Sequence, residues 1–82
     1  MTRAGENAGG LVKRSLSLSG HRTSVALEPE FWRALERLAG ANGIGLAALV
    51  AGIDQARDPT RPLASALRVH ALEQAMLRAQ VA

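Results

Sequence analysis

Between Val12 and Glu28 the chain reads "VKRSLSLSGHRTSVALE", with apolar residues recurring at every second position. A period of two is the signature of a strand with one covered and one open face. In the first segment, Val12 to Ser19, it places Val12, Arg14, Leu16 and Leu18 on one face and Lys13, Ser15, Ser17 and Ser19 on the other. Gly20-His21 can turn, and the second segment then sets Thr23, Val25 and Leu27 against Arg22, Ser24 and Ala26. Two short strands are marginal in water unless something covers them. The remainder of the chain must supply that cover, and a second copy of the chain can supply a partner strand.

The rhythm changes at Pro29, which suits the first turn of a helix because its missing N–H costs nothing there. Glu28 and Glu30 flank it and complement the positive end of the helix dipole. Phe31, Leu35, Leu38 and Ala39 fall on one stripe with Trp32 beside it, and "GANG" ends the helix, with Gly43 suited to a left-handed cap. A second helix is expected from Gly45 to about Arg57, with Leu46, Leu49, Val50 and Ile53 on its apolar face, and "DPTRP" stops it. A third, Leu63 to about Arg78, has two stripes: Leu63, Leu67 and Leu77 on one side, and Val69, Leu72 and Met76 on the other. Such a helix is expected to touch two surfaces. Met1 to Gly10, "MTRAGENAGG", has almost nothing to bury, so residues 1–11 read as a flexible arm and 12–82 as one domain.

Eighty-two residues without cysteine exclude a disulfide framework and a thiolate metal site, and the two histidines, His21 and His70, are far apart in sequence. No metal and no cofactor is expected. No apolar run approaches the roughly 18 residues of a membrane span, so the chain is read as soluble and cytoplasmic, with no membrane partner. A domain this small often gains stability by oligomerising. Net charge is +3 and the arginine-rich composition matches the alanine bias of a GC-rich genome, so position matters more than total. Within the first 24 residues Arg3, Lys13, Arg14 and Arg22 stand against Glu6 alone. Positive charge therefore gathers on and before the strands, as attraction to a polyanion requires.

Enzymatic chemistry finds little to use. "GANGIG" follows a helix, whereas a dinucleotide-binding glycine loop follows a strand. Ser24, His21 and Glu28 can be combined on paper, but their spacing supplies neither triad geometry nor an oxyanion hole. His70 and Trp32 read as packing residues. The chain is expected not to be an enzyme.

Strand, helix, loop, helix over "RTSVALEPEFWRALERLAGANGIGLAALVAGI", Arg22 to Ile53, resembles the ribbon-helix-helix family to which the Met and Arc repressors belong. Over Lys13 to about Met76, "KRSLSLSGHRTSVALEPEFW" with "LASALRVHALE" downstream is similar to small ribbon-helix-helix domain proteins frequent in alphaproteobacteria. The resemblance implies a mainly α fold with a short β-ribbon: a ribbon-helix-helix homodimer carrying an additional C-terminal helix. In that family two chains contribute one strand each to an antiparallel ribbon that enters the major groove. It implies a DNA-binding transcriptional regulator acting as a homodimer on double-stranded DNA, with possible higher-order assembly there. Arg22, Ser24 and Ala26 then contact bases, with Arg22 suited to guanine. Lys13 and Arg14 contact phosphates, as do the backbone N–H groups of Gly45, Leu46 and Ala47 at a helix start. Val25, Leu27, Phe31, Leu35, Leu49, Val50 and Ile53 make the dimer core. Two departures from the family pattern stand out. The family core ends after its second helix whereas this chain adds a third, and "RPLASALRVHAL" itself resembles that second helix; in this alternative register Gly45–Arg57 is an insertion and the phosphate site moves to Leu63. The strand Val12–Ser19 is additional, and either lengthens the ribbon as a hairpin or covers its edge. A protein-interaction module of the same fold, antitoxin-like or scaffolding, is the alternative function.

Overall fold

The computed structural model describes residues 10–81, with side chains to residue 80. The expected arm therefore lies, over residues 1–9, outside the described residues. Two strands, β1 (Val12–Leu18) and β2 (His21–Leu27), are followed by α1 (Pro29–Ala41), α2 (Leu46–Ala56) and α3 (Leu63–Val81).

The strands pair antiparallel with each other, Val12 opposite Leu27 and Leu18 opposite His21. β1 thus folds back on β2 as a hairpin, the first of the two roles the sequence leaves open for it. The turn explains why. Ser19 and Gly20, with φ of 52° and 85°, form a two-residue connection, whose positive φ at both positions gives the twist that adjacent antiparallel strands need. Closing so short a loop costs little chain entropy compared with recruiting a second molecule. The turn is thus Ser19-Gly20, not Gly20-His21, and His21 joins the strand. The alternation expected from the sequence is otherwise present, with Leu18, Val25 and Leu27 buried and Lys13, Ser15, Ser17, Arg22 and Ser24 exposed.

Helix α1 begins at Pro29 and ends in a Schellman arrangement: the Ile44 N–H donates to the Ala39 carbonyl (3.0 Å) and the Gly43 N–H to the Gly40 carbonyl (3.1 Å). Gly43 takes the required left-handed conformation at φ 68°. Its buried stripe is Trp32, Leu35 and Ala39, rotated from the expected one, since Phe31 and Leu38 are only partly covered. The rotation has a cause. The indole N–H of Trp32 donates to the Val12 carbonyl at 2.8 Å, which satisfies the polar end of a side chain that is only 1% exposed. The Arg14 guanidinium lies 4.8 Å from the Trp32 ring centroid and donates to Glu36 at 2.9 Å.

Helices α2 and α3 complete the cover, α2 against β1 and α3 against β2. Leu18, Val25, Leu27, Trp32, Leu35, Val50, Leu67 and Ala71 form one core. Of the residues expected in a dimer core, Val25, Leu27, Leu35 and Val50 are therefore already buried inside one chain. Phe31, Leu49 and Ile53 are half-buried. Arg68 of α3 donates to Glu28 at the start of α1 (3.0 Å). Backbone hydrogen bonding, followed by that guanidinium, holds the Glu28 carboxyl below its ordinary value.

Trp32→Phe keeps the ring but loses the donor to Val12 and part of the packed volume. Urea unfolding is expected to show about 1–3 kcal/mol of lost stability. A depressed folded-state pKa makes the contribution of Glu28 fully present above the unfolded value, about pH 4.3, and lost as pH falls through the lower folded one. Glu28→Gln is therefore expected to be less stable than the parent at neutral pH, the two unfolding curves converging in acid.

Candidate nucleic-acid interface

The hairpin has one face against the helices and one in solvent. On the open face the register sets Lys13 opposite Ala26, Ser15 opposite Ser24 and Ser17 opposite Arg22. Lys13 and Arg22 stand at opposite ends of a diagonal, with short side chains between them. Arg22 donates to the Ser17 hydroxyl across the strands at 3.3 Å, which extends the guanidinium along the face. Neither strand contains an acidic residue. Arg22, Ser24 and Ala26 thus share the face that alternation assigned to them, with Ala26 half-buried. Ser15 and Ser17 belong to it as well. Alternation had put both on the polar side; their nearness to Ser24 and Arg22 required the hairpin register.

Arg14, expected beside Lys13 as a phosphate contact, lies on the opposite face, held by Glu36 and the Trp32 ring. One residue of displacement along a strand reverses the side, so Lys13 and Arg14 have different roles.

At α2, Gly45 occupies the N-cap position in extended conformation with no side-chain cap, and the first turn, which includes Leu46 and Ala47, carries no acid. The other end of this helix meets the hairpin tip, where the Gln55 amide donates to the Ser19 hydroxyl at 3.4 Å. The Gly45 end is thus some ~15 Å along the helix axis from that contact. The rival position, Leu63, follows a tight loop in which Asp58 accepts from the Thr60 N–H (2.8 Å) and hydroxyl (2.6 Å). Those bonds hold the Asp58 carboxyl below its ordinary value.

The groups of the paper triad diverge: Ser24 is on the open face, His21 on the other at the hairpin tip, and Glu28 is bound to Arg68. Among the described residues no three His, Cys, Asp or Glu side chains gather as metal ligands. His70 is half-buried and lines a groove between α2 and α3. No single helix is long and apolar enough to cross a membrane.

A model of the ribbon-helix-helix domain matches residues 11–75, a span that takes in the hairpin, α1, α2 and most of α3. The chain belongs to the ribbon-helix-helix domain family. Members of this family are typically DNA-binding regulators that dimerise. Among solved structures, an uncharacterized protein from Bordetella pertussis Tohama I is similar, at 32% sequence identity and a TM-score of 0.71. The match covers 85% of this chain and 59% of that one, so the chain spans somewhat over half the length of that relative. None of the curated proteins matches the sequence.

Proposed function

We propose that this protein is a sequence-reading DNA-binding regulator whose hairpin enters the major groove with its open face toward the base edges. The observation that carries the reading is that face: two antiparallel strands, exposed, with Lys13 and Arg22 on a diagonal and no acid on either strand. A two-stranded ribbon fits the major groove. Here one chain holds both strands, so each protomer of a homodimer brings a complete ribbon to its half-site. Arg22 is the long side chain able to bond guanine in bidentate fashion, Ser15, Ser17 and Ser24 can each donate or accept, and the Ala26 methyl suits thymine. Lys13 neutralises a phosphate at the groove wall. The unobstructed N–H groups at Gly45, Leu46 and Ala47 offer a further phosphate site that a dimer can bring against the backbone.

Selection from random duplex DNA followed by gel shift tests the reading directly. Binding is expected to weaken with salt at a log-log slope of about −0.9 per phosphate contact; retention of no duplex at low salt overturns it. Arg22→Ala is expected to cost about 1–3 kcal/mol and to relax preference at one base pair per half-site. Lys13→Ala is expected to weaken all sequences alike and to flatten the salt slope by about one. Arg14→Ala, by contrast, is expected to lower stability and leave the slope unchanged.

The phosphate site is tested by Gly45→Glu, whose carboxylate favours the α2 N-terminus while repelling a phosphate. The expected variant is at least as stable as the parent and binds DNA more weakly. Loss of binding with Leu63→Glu and not with Gly45→Glu moves the site to α3.

A further inference from the structure

Lys13 and Arg22 share the open face of the hairpin but not the same surroundings. Lys13 stands opposite Ala26, which offers it only a methyl group. Arg22 stands opposite Ser17, and its Nη1 donates to the Ser17 hydroxyl at 3.3 Å. The guanidinium is thereby drawn across the ribbon from β2 to β1. Among the described residues the arginines in ion pairs are Arg14, Arg57 and Arg68, so no acid competes with Ser17 for Arg22.

The acceptor is firmly placed. Ser17 precedes Leu18, whose side chain is buried in the core, and the turn beyond it is tied to α2 by the bond from Gln55 to Ser19. A hydroxyl on a strand so anchored is a fixed point for a flexible partner. Arginine carries much rotamer entropy, and a free one serves a phosphate as readily as a base. Ordering it over the ribbon before DNA arrives removes part of that entropy cost and keeps it from the groove walls, where the phosphates lie.

The bond also decides what each group has left to offer. With one Nη1 hydrogen spent on Ser17, the guanidinium edge formed by Nε and Nη2 is whole, and that edge fits guanine O6 and N7. The Ser17 oxygen accepts from Arg22, which leaves its O–H to donate. The pair therefore presents donors side by side. Such a set matches a guanine adjoined by a base edge that accepts, namely guanine O6 or N7, adenine N7 or thymine O4, and mismatches the cytosine amino group.

We infer that Ser17 is a specificity-determining positioning residue, which holds Arg22 over the ribbon so that the two act as one donor unit selecting guanine beside an accepting base edge. The inference rests on the DNA-reading role proposed above. It adds that β1, the strand additional to the family pattern, sets what β2 reads.

Two measurements on the full chain test it, one of them without DNA. In the free protein the Arg22 Nε–H is expected to have a higher NMR order parameter in the parent and in Ser17→Thr, which keeps the hydroxyl, than in Ser17→Ala. On duplexes selected from random DNA, Ser17→Ala is expected to lose about 3- to 10-fold of the preference for guanine at the base pair where Arg22→Ala relaxes it, without a matching loss on unrelated duplex. Ser17→Thr is expected to retain that preference, and in an Arg22→Ala background Ser17→Ala is expected to change it no further. Equal Arg22 order in the parent and in Ser17→Ala overturns the pairing, whether or not DNA binds. An ordered Arg22 with the guanine preference unaltered in Ser17→Ala overturns the specificity role alone, and so does a loss equal on all duplexes, which marks a phosphate contact. A parent with an ordered Arg22 that retains no duplex overturns the DNA reading itself and this role with it.

Discussion

The fold rests on the covering of a two-stranded hairpin, and Trp32 is the side chain that makes the cover possible. Two strands of seven residues cannot hold themselves together in water. The indole fills the space beneath β1, and its N–H closes on the Val12 carbonyl, so the largest buried side chain leaves no polar atom unsatisfied. Arg14, on the same face of β1, would otherwise bring a charge toward the core. It instead lies over the indole ring and reaches Glu36 at the surface. Because one face is sealed by these contacts and by the leucines of α1 and α3, the other face is free to be wholly polar. The exposed ribbon is a consequence of the packing beneath it.

Charge is distributed to the same effect. Arg14, Arg57 and Arg68 are each paired with an acid on or beside a helix: Glu36, Asp54 and Glu28. These pairs are half-exposed, and each adds little stability. What they do is confine acidic charge to the helical layer. Lys13 and Arg22, on the open face, have no acid on their own strands, so a modest net charge becomes a directed one.

Much of this was legible in the sequence, because its signals were local. Alternation fixed which side of each strand faces solvent, Pro29 fixed the start of α1, and Gly43 its end. The rotation of α1 toward Trp32 was not legible: helical periodicity ranks Phe31 and Trp32 alike, and only the position of the Val12 carbonyl separates them. The intrachain pairing was open for a similar reason. Alternation shows that a strand needs a neighbour without naming it, and Ser19 disguised a turn in which both residues take positive φ. Arg14 shows the opposite failure, since its face was readable from the alternation, yet the attraction of a cluster of cations led to its grouping with Lys13.

The intrachain hairpin also changes what dimerisation has to accomplish. Where two chains share one ribbon, the sheet and the dimer are a single object, and neither exists without the other. Here β1 and β2 already pair within one chain, and their apolar face is covered by that chain's own helices. Among the described residues, the large apolar side chains that remain exposed are Ile44, beside the groove between α2 and α3, and Leu72, Met76 and Leu77 on α3.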